Sequence, residues 1–378
     1  MKMEFRLEEI FDLQMGKTPS RNNPDYWNSE DNKWISIADL SKCGKYIENT
    51  KEYLSDLAVE ESGISCIPEN TVVMSFKLSI GKTAITPEPM FSNEAIMSFR
   101  DKKIVEILPD YIYYMFSGKD WDEGTNKAVM GKTLNKATLS KIKVNIPDVE
   151  EQRSAVEVLD KVSKLIANRK AELEKLDELI KARFVEMFGE AETNVKGFPM
   201  KRMDECCKYI GGAQPDKSHF EYEKTDDNIR LIQIRDYKSD RFITYIPKTL
   251  ARKTCTSSDI MIGRYGPPIF QILGGIEGAY NVALMKAVPT VEFNTEYFRY
   301  FLKSEKLLHY LESFSQRTAG QDGIQIDKLN AYPCFVPPME LQIQFAAFVE
   351  QTDKSKLNKI AARWPAKAVV QLFFSIIK

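Results

Sequence analysis

The feature that most constrains this chain is that its second half repeats the residue pattern of its first half. The segment IPDVEEQRSAVEVLD (146–160) returns as VPPMELQIQFAAFVE (336–350), with a proline, a glutamate and a glutamine at matching positions. A period of about half of the 378 residues is too long for a solenoid of small units. The repeat therefore predicts two modules, each consisting of a folded part that ends in a helix.

Other matches follow the same order along both halves. WISIADL (34–40) resembles LIQIRDY (231–237), and NEAIMSF (93–99) resembles NVALMKA (281–287). The remaining matches are VVMSFKLSIG (72–81) with IMIGRYGPPI (260–269), YIYYMFSG (111–118) with YFRYFLKS (297–304), Arg6 with Arg202, Glu9 with Glu205, Gly16 with Gly212, and Pro19 with Pro215. Each match is weak alone, but their shared order indicates a duplication.

The elements within each half are also predicted by pattern. Each half begins with short β-rich runs bounded by Gly, Pro, Asn and Asp, which is typical of strands and turns. A short aromatic-rich helix is predicted at about 109–117 and again at about 295–311. A long helix follows, over about 149–188 in the first half and from near Pro338 in the second. We therefore predict an α+β fold, with two α/β domains separated by long, antiparallel coiled-coil helices.

The first long helix carries a seven-residue apolar repeat. Arg169 and Arg183 interrupt the predicted seam of this helix. The seven seam residues are Leu159, Val162, Ile166, Leu173, Leu176, Ile180 and Met187. At about 1.5 Å per residue the helix would be roughly 57 Å long. Because a lone amphipathic helix gains little stability in water, we expect it to pack against the second long helix. The two arginines are expected to reach past the seam to solvent.

The second long helix departs from this pattern. The repeat puts Lys356 at the position of Ile166 and Arg363 at the position of Leu173. Pro365 would end or kink a continuous helix. The tail VVQLFFSIIK (369–378) is apolar, so we expect it either to be buried against the first helix or a partner, or to have diverged.

Composition narrows the class of protein without deciding its partner. The 53 basic and 54 acidic residues give a formal charge of -1, so bulk charge does not indicate a polyanion partner. We find no signal peptide and no apolar run long enough to span a bilayer, which predicts a cytoplasmic protein. The six cysteines are scattered, so we expect reduced thiols.

Motifs for catalysis are weak. The triplet Gly-Lys-Thr at 16–18, 81–83 and 131–133 lacks the earlier glycine of a phosphate-binding loop. The run Asn23-Pro24-Asp25-Tyr26 differs from the adenine-methyltransferase motif in its middle residue, and a turn is the simpler interpretation. Asp25, Asp31 and Lys33 resemble a magnesium-nuclease set, but the second half lacks it. We therefore predict no catalytic residue, no metal and no cofactor.

Three loose motifs carry a resemblance to a known family over nearly the whole chain. They are MGKTPSRNNPDYW (15–27) running into WISIADL, IGRYGPP (262–268) with GAYNVAL (278–284), and GQDGIQIDKLN (320–330) with VPPMELQ (336–342). The chain resembles the specificity (S) subunits of type I restriction-modification systems. The resemblance implies target-recognition domains at 1–147 and 191–337, and conserved spacer helices at 148–190 and 338–378.

The same resemblance implies partners and a role in phage defence. Each domain would read one half of a split sequence in double-stranded DNA, and the helices would fix the spacing between the halves. Two modification subunits would carry S-adenosylmethionine and methylate adenine, and restriction subunits would translocate and cleave the DNA. The alternatives are a stand-alone nuclease or methyltransferase, and a coiled-coil scaffold that binds only proteins.

Local cations can supply DNA contacts despite the neutral total charge. Lysines suit phosphates, whereas forked or amide side chains suit base edges. The lysine candidates are Lys17, Lys77, Lys82, Lys132, Lys136, Lys141, Lys217 and Lys253, and Arg252 is a further phosphate candidate. The base-edge candidates are Arg21, Arg235, Arg264, Gln316 and Arg317, and Tyr265 is a further candidate DNA contact. Trp27, Trp34 and Trp121 could also face DNA, although Trp34 opens a strand and is predicted to lie in the core.

Overall fold

The computed structural model describes residues 3–77, 79–121, 134–266, 268–314, 317–318 and 321–360, with the backbone alone at 317–318, 321–322 and 357–360. Its residue contacts divide the chain into two units. Unit 1 ends at Lys170 and unit 2 begins at Ala171, so the division falls inside one long helix.

Unit 1 is built on three small sheets. A four-stranded sheet has the order β2-β8-β5-β6, a three-stranded sheet has the order β4-β3-β7, and β1 pairs with β9. The strands are β1 (Met3–Arg6), β2 (Phe11–Met15), β3 (Asn32–Ile35), β4 (Glu52–Leu54), β5 (Val72–Ser75), β6 (Thr83–Ile85), β7 (Phe91–Ser92), β8 (Ile96–Asp101) and β9 (Lys143–Ile146).

Helices cover the four-stranded sheet and close unit 1. The largest core cluster holds Phe11, Phe99 and Phe116, whose rings meet edge to face with centroids 4.7 to 6.5 Å apart. This geometry is the favoured one for aromatic rings. The helices are α1 (Leu7–Ile10), α2 (Ile37–Leu40), α3 (Asp56–Ser62), α4 (Pro109–Gly118), α5 (Lys136–Ser140) and α6 (Val149–Phe188), which continues into unit 2.

Unit 2 repeats this plan. Its strands are β10 (Met200–Arg202), β11 (Cys207–Gly211), β12 (Asn228–Ile232), β13 (Tyr245–Pro247), β14 (Thr254–Cys255), β15 (Ile260–Gly263), β16 (Gln271–Leu273), β17 (Gly278–Tyr280), β18 (Leu284–Pro289), β19 (Arg317–Thr318), β20 (Gln321–Asp322) and β21 (Pro333–Phe335). Its helices are α7 (Met203–Cys206), α8 (Thr295–Leu302), α9 (Glu305–Ser313), α10 (Ile326–Ala331) and α11 (Met339–Ile360).

The sheets of the two units correspond strand for strand. The order β11-β18-β15-β16 in unit 2 matches β2-β8-β5-β6 in unit 1, and β10-β21 matches β1-β9. The order β13-β12-β17 matches β4-β3-β7, with β14 added at the edge in unit 2. The predicted internal repeat and the predicted α+β fold are therefore confirmed.

Matched residues make matched bonds in the two units. The backbone N–H of Arg6 donates to the Glu9 carboxylate at 2.7 Å, and that of Arg202 donates to Glu205 at the same distance. Each pair caps a one-turn helix, α1 or α7. This cap needs a carboxylate three residues after the N-cap residue, which is the spacing of both matched pairs.

The repeated glutamine has a structural role at the start of each long helix. Gln152 is fully buried: its Oε1 accepts from Leu108 N, and its Nε2 donates to the carbonyls of Glu106 and Pro147, all at 2.9 Å. Gln342 accepts from Asn294 N at 2.9 Å and donates to the Pro337 carbonyl at 2.8 Å. Each glutamine therefore ties the start of α6 or α11 to the start of α4 or α8.

The residues of the predicted seam of α6 differ in burial. Leu159 and Ile180 are buried, the other five seam residues are half-buried, and Arg169 is exposed. Arg183 is half-buried, pairs with Glu186 at 2.8 Å and lies 5.9 Å from the Phe348 ring. That position agrees with an arginine reaching past the seam with its stem packed.

Within unit 2, α11 packs antiparallel to the second half of α6. The Phe345 and Phe188 rings lie 5.7 Å apart near one end of the pair, and Lys356 donates to Asp177 at 2.6 Å further along. Residue numbers rise along α11 as they fall along α6, which is the predicted orientation. Pro365 and the apolar tail lie outside the described residues.

One predicted helix is wrong in its length. The segment predicted as one helix at 295–311 forms two, α8 and α9, because Ser304 adopts an extended conformation with ψ of 130°. Ser304 then accepts the backbone N–H of Leu308 and starts α9. In the described part of the chain, no helix has the length and apolar character needed to cross a membrane.

Candidate nucleic-acid interface

In each unit, three loops meet at one end of the four-stranded sheet. In unit 1 they are residues 16–31 after β2, 76–82 between β5 and β6, and 93–95 between β7 and β8. In unit 2 they are residues 212–227, 264–270 and 281–283. We call these two surfaces the loop face of unit 1 and the loop face of unit 2. Loops held by a sheet are the usual place for recognition.

Backbone bonds hold the loops of unit 1 together. Lys17 N donates to the Ser92 carbonyl at 2.8 Å, and Phe76 N donates to the Ala95 carbonyl at 3.0 Å. The Phe76 carbonyl then accepts from Leu134 N at 3.2 Å. The segment before α5 therefore also borders this loop face.

The loops of unit 2 are joined at equivalent places. Ala213 N donates to the Tyr280 carbonyl at 3.0 Å, and Arg264 N donates to the Ala283 carbonyl at 2.9 Å. The Arg264 carbonyl accepts from Ile324 N at 3.2 Å. Arg264 thus occupies in unit 2 the backbone position that the buried Phe76 occupies in unit 1.

A glycine allows the first loop to cross the sheet in each unit. A Cβ atom on Gly16 would lie 2.1 Å from the Ser92 carbonyl oxygen, and a Cβ on Gly212 would lie 2.0 Å from the Asn281 carbonyl oxygen. No side chain fits at either distance. The matched glycines of the sequence are therefore explained by close backbone approach.

Matched asparagines shape the third loop. Asn93 Oδ1 accepts from Ala95 N at 3.0 Å, and Asn281 Oδ1 accepts from Ala283 N at 3.2 Å. The residue between them is exposed in both units, and it is Glu94 in unit 1 but Val282 in unit 2. Glutamate can accept from a cytosine amino group, whereas an apolar side chain can contact a thymine methyl. Sequence reasoning missed this position, although it differs inside the matched NEA and NVA triplets.

Among the candidate lysines of unit 1, Lys17, Lys77 and Lys82 lie in its loop face, and Lys136 and Lys141 lie at the two ends of α5. Lys17, Lys82, Lys136 and Lys141 are exposed, and the half-buried Lys77 lies 5.3 Å from the Phe76 ring centroid. The Thr18 hydroxyl donates to Glu94. This bond, with the nearby positive charges of Lys77 and Arg21, lowers the pKa of Glu94 from its ordinary value.

Arg21 is engaged by its own unit. Its guanidinium pairs with both oxygens of Glu52, and it lies 3.7 Å from the Trp27 ring centroid. The hydrogen bond to Glu52 raises the pKa of Arg21 above its ordinary value. Because this bidentate pair occupies the guanidinium N–H groups, Arg21 contributes positive charge to the loop face but few free hydrogen-bond donors.

The tryptophans divide between core and border. Trp34 is 2% exposed, which confirms its predicted place in the core, and Trp121 is buried against Phe116 and Gly81. Trp27 is half-buried and meets Trp34 edge to face with centroids 5.0 Å apart. The Arg21 guanidinium lies over the Trp27 ring, so this ring face is not open for a base to stack on it.

The forked cation of unit 2 is Arg264. It is half-buried, lies 5.4 Å from the Tyr265 ring centroid, and makes no side-chain hydrogen bond or ion pair among the described residues. Its free fork contrasts with that of Arg21. The cations Lys217, Arg235, Arg252 and Lys253 are exposed.

The structure does not describe the side chains of three residues that were predicted to contact DNA. Lys132 and Gln316 lie outside the described residues. Arg317 lies in β19, and its side chain is outside the described part of the chain.

The carboxylate run at 23–33 forms a turn. Asn23 Oδ1 accepts from Asp25 N at 3.1 Å and caps a short 3-10 helix over Pro24–Tyr26. Lys33 pairs with Glu88 and donates to the Glu48 carbonyl. These contacts agree with the simpler interpretation of the run as a turn.

Comparisons with known proteins agree with this arrangement. The family model of the type I restriction modification DNA specificity domain matches residues 2–177. The MjaIX specificity subunit of Methanocaldococcus jannaschii, a type I restriction enzyme subunit, is 26% identical over 270 residues. That match covers 62% of this chain and 62% of the relative.

A second relative and two solved structures cover more of the chain. The EcoprrI specificity subunit of Escherichia coli is 22% identical over 373 residues, 92% of this chain and 86% of its own. A chain from a structure of the type I R-M system has a TM-score of 0.57 at 15% identity, with 99% and 96% covered. The S subunit from M. genitalium has a TM-score of 0.51 at 12% identity, with 100% and 94% covered. The chain is therefore similar to type I restriction-modification specificity subunits, over residues 2–177 by the family model and over most of its length by the second relative and, in fold, by the two solved structures.

Proposed function

We propose that this chain is the DNA sequence-specificity subunit of a type I restriction-modification complex, with each unit reading one half of a split target. The observation that carries the proposal is the duplicated loop face. Two copies of one framework hold three loops by the same backbone bonds, yet project different side chains. Repeating a reader suits a target whose two halves differ in sequence.

The roles of individual residues follow from their chemistry. Lys17, Lys77, Lys82 and Lys217 supply charge for phosphates, which fixes the protein on the duplex without reading sequence. The free fork of Arg264 suits the O6 and N7 acceptors of guanine in the major groove. Glu94 and Val282 are added to the candidate base contacts because they occupy one exposed position in the two units.

The helices serve as the spacer between the two readers. Target-recognition domains at 1–147 and 191–337 and spacer helices at 148–190 and 338–378 remain our proposed boundaries. Gln152 and Gln342 support them, because each buried glutamine joins a recognition domain to the helix that follows it.

A polar cluster in unit 1 also holds the first spacer helix. Lys45 pairs with Asp110 of α4 and donates to Asp160 of α6 at 2.8 Å. Tyr114 of α4 also donates to Asp160, and burial together with this bond raises the pKa of Tyr114 above its ordinary value. Bonds from two elements to one helix resist its tilting, as a spacer of fixed length requires.

The proposed partners are double-stranded DNA, two methyltransferase subunits and the restriction subunits. The chain itself would bind no cofactor and catalyse no reaction, and it would act in the cytoplasm against phage DNA. The antiparallel helix pair of α6 and α11 would form part of the surface for these subunits.

The test is target selection by the assembled complex. The chain is purified with its methyltransferase subunits and incubated with a library of random duplexes, and the bound duplexes are sequenced. The expected result is two short motifs separated by a constant number of unspecified base pairs. Enrichment of one continuous motif, or of none, would contradict the proposal.

A further inference from the structure

An exposed aromatic ring in unit 2 is flanked by two arginines. Phe242 is 54% exposed, so its ring is accessible for contact. The guanidinium carbons of Arg241 and Arg235 lie 5.1 and 5.6 Å from its ring centroid. We call these three residues the Phe242 cluster.

An ion pair and hydrogen bonds within unit 2 hold the turn that carries the cluster. Arg235 Nε lies 3.9 Å from Asp236 Oδ1, and its Nη2 donates to the Phe242 carbonyl at 3.4 Å. Arg241 N donates to Ser239 Oγ at 3.1 Å, which caps the short 3-10 helix carrying the ring. The three side chains therefore sit on an ordered turn with little freedom to lose on binding.

The buried support of the cluster holds polar atoms without partners. Asp236 is 4% exposed, and its Oδ1 has no hydrogen-bond partner, nor does the buried Nε of Arg230. Arg230 Nη2 donates to Asp240 at 3.0 Å. Arg230 Nε and Arg235 Nε lie 3.7 and 3.9 Å from the Asp236 carboxyl oxygens, and Arg241 adds a third guanidinium beside the Phe242 ring, so basic groups outnumber acidic ones here.

The cluster borders the loop face of unit 2. Ile234, which precedes Arg235, packs against Gly263 at the end of β15, directly before Arg264. Unit 1 lacks the cluster, because Ala38 stands at the position of Arg235 in the matched segments WISIADL and LIQIRDY. The feature is therefore an addition to one unit and no part of the common framework.

We propose that the Phe242 cluster binds a nucleotide whose base is unpaired, with the base against Phe242 and its phosphates on Arg235 and Arg241. A base within a duplex has both faces covered by its neighbours, so it offers an aromatic ring no surface for stacking. An unpaired base offers that surface, and stacking of this kind tolerates any sequence. This goes beyond the reading of paired half-sites and gives unit 2 a second mode of DNA contact.

The test measures binding of a fluorescent oligothymidylate of about 12 nucleotides, a length within the usual single-strand site size, to the full-length chain. Phe242→Leu keeps an apolar side chain without the ring and is expected to weaken binding about fivefold or more. Phe242→Trp restores a stacking surface and is expected to bind within about twofold of the wild type. Arg241→Gln is expected to lower the slope of log affinity against log salt by about 0.7.

The control is Val195→Ala, because Val195 is an apolar side chain of unit 2 that is also 75% exposed and lies outside the loop face. It is expected to bind as the wild type does. Equal binding by wild type and Phe242→Leu, or an equal loss in Val195→Ala, would overturn the proposal. A matching loss on a fully paired duplex would also overturn it, since the surface would then take paired DNA. None of these outcomes depends on split-site selection, so the two proposals can fail separately.

Discussion

Units 1 and 2 share the same framework of backbone and buried side-chain bonds, but they differ in the side chains that this framework exposes. The glycine that crosses the sheet, the asparagine that shapes the third loop and the glutamine that starts the long helix recur with the same bonds. The exposed positions between them differ, with Glu94 against Val282 and Ala38 against Arg235. Buried bonds constrain a residue far more than an exposed surface does, so sequence change collects at the loop faces.

The comparison also separates two kinds of arginine. Arg21 in unit 1 is bound to Glu52 and Trp27, whereas Arg264 in unit 2 keeps its fork free among the described residues. Charge alone would rank them together. From these partners we propose that Arg21 mainly shapes and charges its loop face and that Arg264 makes direct contact with DNA.

The largest expected effect concerns the repeated glutamine. Gln152→Leu leaves one buried and two part-buried backbone groups unpaired and should cost about 3 kcal/mol of unfolding free energy, while Gln342→Leu leaves one buried and one part-buried group unpaired and should cost about 2 kcal/mol. Urea unfolding measures both. Gln351→Leu, on the exposed face of α11, is the control and should cost little. Losses as small as the control's would mean that the repeated glutamine is no structural joint.

The glycines that cross the sheet should be equally sensitive in the two units. Gly16→Ala and Gly212→Ala each force a Cβ into a backbone carbonyl and should cost about 2 kcal/mol. Gly44→Ala meets no atom within 4 Å and serves as the control. Thermal unfolding of the three variants measures the effect. A large loss in one unit and none in the other would break the correspondence between the frameworks.

Arg264, with its forked guanidinium, and Lys77, with its single ammonium group, should contribute differently to DNA binding. Arg264→Ala should remove about 2 kcal/mol of discrimination at one base position in one half of the target. Lys77→Ala should leave base preference intact and reduce the salt slope of duplex binding by about 0.9. Duplex selection by the assembled complex at several salt concentrations measures both. Loss of discrimination in both halves after Arg264→Ala would show that the units do not read independently.

The matched aspartates should give the smallest effect and a difference in pH dependence. Asp39 accepts from Ser36 N and Lys51 N, so Asp39→Asn should cost about 1 kcal/mol. Burial raises the pKa of Asp236, so the folded state favours its protonated form. Its contribution to stability is therefore present below the unfolded pKa and lost as pH rises through the folded pKa.

Asp236→Asn should remove that pH dependence and cost less than Asp39→Asn. Urea unfolding between about pH 4 and pH 7, the range above the unfolded carboxyl pKa, measures it. An unchanged pH profile in Asp236→Asn would contradict the assignment of the proton to this buried carboxyl.

Much of the fold could be predicted from residue order, because periodicity and spacing are local. The seam of α6 was predicted from its heptads, and the matches of Arg6 with Arg202 and of Glu9 with Glu205 marked the repeat, although the helix caps that they form were not predicted. Phe184 and Phe188 were missed as core residues because they lie outside the two heptad positions, although they pack on Phe345. The break between α8 and α9 depends on one backbone angle that residue periodicity does not encode.

The site was harder to predict because partners distant in sequence decide it. Glu52 lies 31 residues from Arg21 and takes its fork, which the local run of residues does not reveal. The exposure of Phe242 depends on how its short helix turns away from the sheet, and nothing in the run DRFIT separates it from a core phenylalanine. Glu94 and Val282 were within reach, since the repeat marks them as a mismatch between matched neighbours.

The most direct test of the central account exchanges one reader and leaves the other. Residues 1–147 are replaced by the corresponding segment of a relative with a different target, and the duplexes bound by the assembled complex are sequenced. If each unit reads one half of the target, one half should change to the donor's motif, while the other half and the gap should stay as in the wild type. A change in both halves, or in the gap, would contradict it.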